Sequence, residues 1–230
     1  GETMASIAEN ISTVRDQITK AATRSGRAAD SITLLAVTKT QTPDKLREAY
    51  AAGQREFGEN YVQEALDKIR ILDLPDLVWH FIGPIQSNKT ADIAAHFDWV
   101  HSVDRLKIAS RLSKQRPEGL APLNICVQVN LSSEDSKSGV AIEEAANLCE
   151  QIAKLPNLRL RGLMAIPAPC AGHQQQRKVF APLAALFREL QGRFEHLDSL
   201  SIGMSADYEA AIAEGSTIVR VGSAIFGARA

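Results

Sequence analysis

A rhythm restricts the fold more than any other feature of the chain. Between Ile32 and Gly222, short apolar and β-branched runs alternate with stretches that are apolar along one side only. The runs predict strands at Ile32–Thr40, Glu56–Glu59, Trp79–Gly83, Trp99–Val103, Leu123–Asn130, Leu158–Ile166, Leu200–Gly203 and Thr217–Gly222. The stretches between them predict helices near 43–52, 61–71, 88–97, 104–115, 141–154, 174–194 and 206–213. Strand runs separated by one-sided helical patterns are what βαβ units produce. Several runs, such as Ile32-Thr-Leu-Leu-Ala-Val37, are apolar at nearly every position, as parallel strands covered on both faces are. Ahead of them Ile7, Ile11, Val14 and Ile18 mark one face of a leading helix that ends near Gly26. Eight strands, seven helices and a leading helix to stand in for the eighth predict an α/β fold: a single (β/α)8 TIM barrel with an extra N-terminal helix. A doubly wound open sheet is the competing arrangement. Pro43 and Asp104 stand where helix starts favour them, and Gly53 just past a helix end.

Length agrees with one sizeable core, since a chain of 230 residues can bury roughly 70–75% of its unfolded surface. No linker or low-complexity tract divides it, so residues 4–230 read as one domain, with Gly1-Glu2-Thr3 ahead of Met4 read as a tag remnant and left out of the fold. With 26 Lys and Arg against 27 Asp and Glu, the chain lacks the basic excess that phosphate backbones select, and no nucleic-acid partner is expected. No apolar run reaches the roughly 18–20 residues that cross a bilayer, so no membrane partner is expected either. Cys126, Cys149 and Cys170 are odd in number and show no C-x-x-C spacing, the pattern of reduced thiols in the cytoplasm.

In parallel α/β folds chemistry gathers at the carboxyl ends of strands. Lys39 ends the first run with the parity of Leu35 and Val37. A lysine there either snorkels to water or is partly desolvated, with a lowered pKa that lets it form an imine. Arg220 interrupts Ile218-Val-Arg-Val221; its charge needs acceptors, either a structural carboxylate or a ligand atom at the barrel mouth. Gly203-Met-Ser205 and Gly222-Ser-Ala224 end strands seven and eight, the corner where such barrels hold phosphates. Gly83-Pro-Ile-Gln-Ser-Asn-Lys89-Thr90 imitates a phosphate loop, but Asn88 stands where glycine is required and Pro84 lacks an N–H. The five histidines show no metal spacing; His80 and His101 fall inside strands, where a hydrogen-bonded core role is the default.

Taken together, Ala36-Val-Thr-Lys-Thr40, Phe57-Gly-Glu-Asn-Tyr-Val-Gln-Glu64, His80-Phe-Ile-Gly-Pro-Ile-Gln-Ser-Asn-Lys89, Gly162-Leu-Met-Ala-Ile166, Gly203-Met-Ser205 and Val221-Gly-Ser-Ala-Ile-Phe-Gly227 resemble the pyridoxal phosphate homeostasis protein family, also called YggS- or PROSC-like. Thr38, Ala206 and Ser223 are small departures from its usual pattern. The resemblance implies a barrel like the alanine racemase N-terminal domain, with pyridoxal 5'-phosphate held as a Schiff base on Lys39. It further implies that Ser205 and the backbone N–H groups of Gly222 and Ser223 hold the phosphate. Arg220 would face the pyridine nitrogen, Asn60 would lie near the phenolic edge, and Lys137 would reach the mouth.

An arginine partner keeps the ring nitrogen unprotonated and weakens the cofactor as an electron sink. Racemisation also needs an acid/base on the opposite face, which a second domain and partner subunit supply in alanine racemase. Ala230 follows Gly222 by only eight residues, and Tyr50, Tyr61 and Tyr208 are no evident substitutes. The expectation is therefore a non-catalytic, monomeric protein of vitamin B6 homeostasis that supplies pyridoxal phosphate to apoenzymes. A racemase-like enzyme is the alternative, and a cofactor-free Schiff-base aldolase a remote one.

Overall fold

The computed structural model describes residues 5–132 and 138–227. Its strands are β1 (Thr33–Val37), β2 (Glu56–Glu59), β3 (Val78–Phe81), β4 (Trp99–Val103), β5 (Leu123–Asn130), β6 (Val140–Ala141), β7 (Leu158–Met164), β8 (Ser199–Ser201) and β9 (Ile218–Val221). The helices are α1 (Ile7–Arg24), α2 (Pro43–Ala51), α3 (Val62–Leu72), α4 (Thr90–His96), α5 (Leu106–Gln115), α6 (Ile142–Ala153), α7 (His173–Gln191), α8 (Tyr208–Ala213) and α9 (Ser223–Phe226).

The strands pair in parallel in the order β4-β3-β2-β1-β9-β8-β7-β5, and a further β4–β5 pairing closes the ring. This is the expected (β/α)8 barrel, and closure excludes the open doubly wound sheet. The two-residue β6 pairs with the end of β5 outside the ring of eight. Helix α1 starts at Ser6, whose side chain accepts from the Glu9 N–H, and it packs against α2, α8 and α9. It thus fills the ring between α8 and α2, as its apolar face predicted. Burial of Ile11, Val14 and Ile18 contributes about 1.5–3 kcal/mol each.

Two apolar clusters share the sheet. The larger lies between strands and helices, with Phe57, Phe81, Val100, Leu163 and Val219 among its members. The smaller fills part of the barrel interior with Leu35, Val37, Ile82 and Ile218, against Trp99. Alternation along β9 puts Arg220 on the side of Ile218, level with Leu35 across the β1–β9 pairing.

Strand ends and one cap differ from expectation. β1 stops at Val37, because the Gln41 N–H turns back to the Thr38 carbonyl and Thr40 adopts φ +64°. Asp104 does not cap α5; Arg105 holds the N-cap position, and the Asp104 carboxylate instead accepts from the Gly139 N–H at 3.0 Å. Pro43 opens α2 behind the Thr42 cap, and Gly53 takes φ +97° past its end, both as expected.

Candidate functional site

A cavity of about 730 Å³ opens at the carboxyl end of the barrel. Val37 ends β1 at its wall, Gln128 comes from β5, and Asn60, Ser205, Arg220, Gly222 and Ser223 line it together with Ser138, Gln176 and Asp207. Five of the six sequence-predicted cofactor residues therefore converge on one space. Lys39 lies half-buried two residues past Val37; among the described residues the cavity lining reaches Val37 and not Lys39. Lys137 falls outside the described residues.

Arg220 is 2% exposed and has no ion-pair partner among the described residues. Its Nη1 donates to Ser201 Oγ at 3.3 Å and its Nη2 to the Ala165 carbonyl at 2.9 Å. Its Nε–H has no partner. Burial lowers the guanidinium pKa to about 10, opposed by Asp207 and Cys126, so it remains charged at neutral pH. Among the described residues, the structural carboxylate pairing left open by the sequence is thus not what occupies this arginine.

The two serine-bearing turns are built by close approaches. Gly203 takes φ +104°, and a Cβ there would stand 2.8 Å from the Ala211 Cβ and 3.0 Å from the Tyr208 Cα. Asp207 pins the turn by accepting from the Met204 N–H at 2.7 Å. Gly222 precedes the single turn of α9, whose leading N–H groups have no acceptor within the helix. Asn60 follows β2 and carries a buried Oδ1 without a partner. Gly83 fixes its backbone, since a Cβ at Gly83 would lie 2.2 Å from the Asn60 carbonyl oxygen.

Lys39 is held from behind. Glu59, fully buried, points outward between barrel and helices, where Lys68 of α3 meets it at 2.9 Å. Lys68 also donates to the Thr38 carbonyl at 2.6 Å and lies 3.2 Å from Glu64. The Thr38 hydroxyl donates to Glu59, and the Thr40 N–H donates to Glu64 at 2.6 Å. Both neighbours of Lys39 are therefore anchored to one buried charge cluster. Desolvation raises the Glu59 pKa, opposed by Lys68 and Thr38.

Sequence reasoning missed Gln128, although a polar residue inside Ile125-Cys-Val-Gln-Val129 carries the same signal as Arg220. It also missed the outward role of Glu59, which shares strand parity with the buried Phe57. Lys89 ends a 3-10 turn and lines a neighbouring space of about 320 Å³ with Asn60, Tyr61 and Gln86. The phosphate-loop imitation thus lies beside the main cavity, where only its Pro84 reaches the wall.

The alanine racemase N-terminal domain family matches residues 4–230. A pyridoxal phosphate homeostasis protein of Pseudomonas aeruginosa is 60% identical over 227 residues, covering 98% of this chain and 97% of the relative. One from Escherichia coli K12 is 56% identical over 229 residues, covering 98% of both. The structure of PipY from Synechococcus elongatus, with pyridoxal phosphate bound, superposes with a TM-score of 0.84 at 39% identity, covering 96% of this chain and all of that one. The chain belongs to the alanine racemase N-terminal domain family and, within it, to the pyridoxal phosphate homeostasis proteins.

Proposed function

We propose that this protein binds pyridoxal 5'-phosphate at the carboxyl end of the barrel and serves intracellular cofactor supply rather than catalysis. The observation that carries the reading is the buried Arg220, whose Nε–H lacks an acceptor at the cavity wall. A buried charge and an orphan donor are costly unless a ligand completes them. A heterocyclic nitrogen is the acceptor that fits an arginine there, because a guanidinium can only donate and leaves that nitrogen unprotonated. The unpartnered Asn60 Oδ1 is an acceptor and suits a ligand hydroxyl that donates to it. Ser205 and the backbone N–H groups of Gly222 and Ser223 suit a phosphate, which hydroxyls and amides at a strand-to-helix turn bind by direct donation.

When bound, pyridoxal phosphate supplies an aldehyde that condenses reversibly with a lysine amine. Lys39 is our candidate for that amine, with its neighbours Thr38 and Thr40 anchored by Glu59, Lys68 and Glu64. It stands two residues beyond Val37, which lines the cavity, and its partial exposure would leave the bond open to water or another amine. Such openness suits release to an apoenzyme better than retention.

The lining also speaks against strong catalysis. None of the three tyrosines borders the main cavity among the described residues. Tyr208 is buried, the Tyr50 hydroxyl donates to the Pro75 carbonyl, and Tyr61 faces the neighbouring space. A racemase-like reaction would need such a group opposite Lys39 to protonate the substrate carbon. On this reading the setting is the cytoplasm, and the partners are pyridoxal-phosphate-dependent apoenzymes.

The test is spectroscopic. Protein loaded with pyridoxal phosphate should absorb in the visible, and Lys39→Ala should lose that band while keeping its fold by circular dichroism. Loaded wild type should also reactivate a pyridoxal-phosphate-dependent apoenzyme faster than Lys39→Ala does. An unchanged band in the variant would exclude Lys39.

A further inference from the structure

A file of polar side chains runs down the barrel interior from Arg220 toward the opposite mouth. Ser201 Oγ lies 2.8 Å from His101 Nδ1. His101 Nε2 lies 2.8 Å from His80 Nδ1, and His80 Nε2 lies 3.0 Å from Glu56 Oε1. Ser201, His101 and His80 are all buried. Glu56 opens β2, and its side chain is 28% exposed at a cavity of about 160 Å³ near the amino ends of the strands.

With both rings neutral, the direction of every bond follows from the two ends. A guanidinium only donates, so Ser201 Oγ accepts from Arg220. The Glu56 carboxylate only accepts, so His80 carries its proton on Nε2 and its Nδ1 accepts from His101 Nε2–H. His101 Nδ1 is then left to accept from the Ser201 hydroxyl. One assignment satisfies all four contacts with both histidines neutral. Burial, with the neighbouring His80 and Arg220, holds the His101 pKa well below its usual value, which agrees with a neutral ring. The His80 ring is further fixed by stacking on Trp99, with centroids 5.3 Å apart and planes 16° from parallel.

We propose that Ser201, His101, His80 and Glu56 are positioning residues for Arg220, a one-way donor chain that orients the guanidinium and balances its buried charge with a carboxylate at the far mouth. Donors aligned in one direction polarise one another, and a terminal carboxylate strengthens each link toward it. Ser201 Oγ is thereby a better acceptor than an isolated hydroxyl. With Nη1 held by Ser201 and Nη2 by Ala165, Nε is the guanidinium nitrogen without a partner and is the one offered to a ligand. The proposal rests on the reading that Arg220 meets the cofactor's ring nitrogen.

Two measurements test it on the full chain. In cofactor-free wild type with 15N-labelled histidine, His80 and His101 should both be neutral with the proton on Nε2 at pH 7. A proton on Nδ1, or an imidazolium, in either ring overturns the chain whatever the cofactor does. With ring-15N pyridoxal phosphate as the probe, Ser201→Ala should weaken binding about tenfold. It should also shift the ring-nitrogen resonance toward its protonated value. Glu56→Gln, which keeps an acceptor oxygen for His80 but no charge, should fall between Ser201→Ala and wild type. Unchanged affinity and resonance in Ser201→Ala overturn the positioning role. Should Ser201→Ala fail to fold, the wild-type tautomers decide alone. A failed cofactor reading shows itself separately, as a ring-nitrogen resonance of bound pyridoxal phosphate that Arg220→Lys leaves unchanged.

Discussion

Lys68→Met is expected to destabilise the protein by about 3–5 kcal/mol at pH 8, because it strands a buried carboxylate. Lys68 is 5% exposed at its side chain and meets Glu59, which is fully buried, at 2.9 Å. Methionine fills similar volume, so the loss is electrostatic and hydrogen-bonding rather than a cavity. For a domain of this size the melting temperature should fall on the order of 10 °C. The deficit should depend on pH in a definite direction. Burial already raises the folded-state pKa of Glu59 above 4.5, and removing the opposing Lys68 charge raises it further. A carboxyl with a raised folded pKa favours folding below its unfolded pKa, and that contribution is lost as pH rises through the folded value. The gap between wild type and variant should therefore widen from pH 5 to pH 8. Urea unfolding at the two pH values checks this. The double variant Lys68→Met/Glu59→Gln should recover most of the loss and flatten its pH dependence, since no buried charge then remains unpaired. A gap that stays constant with pH would contradict the account of this cluster. Because Thr38 and Thr40 are bonded into it, the single variant should also bind pyridoxal phosphate more weakly.

Gly83→Ala is the second large effect. The added methyl would meet the Asn60 carbonyl oxygen at 2.2 Å and the Asn60 Cα at 2.8 Å. Both are backbone atoms, so no rotamer change relieves the contact and a strand end must move. Overpacking typically costs 1–3 kcal/mol, and a backbone collision of this depth should cost about 3 kcal/mol. The movement falls on the residue that offers the orphan amide to the cavity. Ligand affinity should therefore drop beyond what global destabilisation explains, measured by titration well below the melting temperature. Equal affinity in a folded Gly83→Ala protein would remove Asn60 from the site.

The alternation of runs gave away the barrel because burial on both faces of a strand leaves an unmistakable composition. Arg220 was legible for the same reason: a charge inside Ile218-Val-Arg-Val221 demands an explanation. Gln128 carries a weaker form of that signal and was passed over. Lys39 stands out by its position after an apolar strand, but strand parity does not carry past Val37, where the chain turns through Thr40 at φ +64°. The pairing of His80 with His101 could not be read at all. It depends on the register that sets His80 beside Trp99 across β3 and β4, and register is a property of the closed sheet. Glu59 stands at the end of β2, and nothing in the sequence marks its partner. Its partner Lys68 sits nine residues on, nearly two turns into α3's buried face, where only the packing of helix on strand brings it back.

The central claim is that one amine beside the β1 end holds pyridoxal phosphate. Borohydride reduction of the loaded protein, followed by digestion and mass mapping, tests it most directly. The account predicts a single phosphopyridoxyl addition on the peptide carrying Lys39. An addition on another lysine with Lys39 unmodified, or no addition at all, would contradict it.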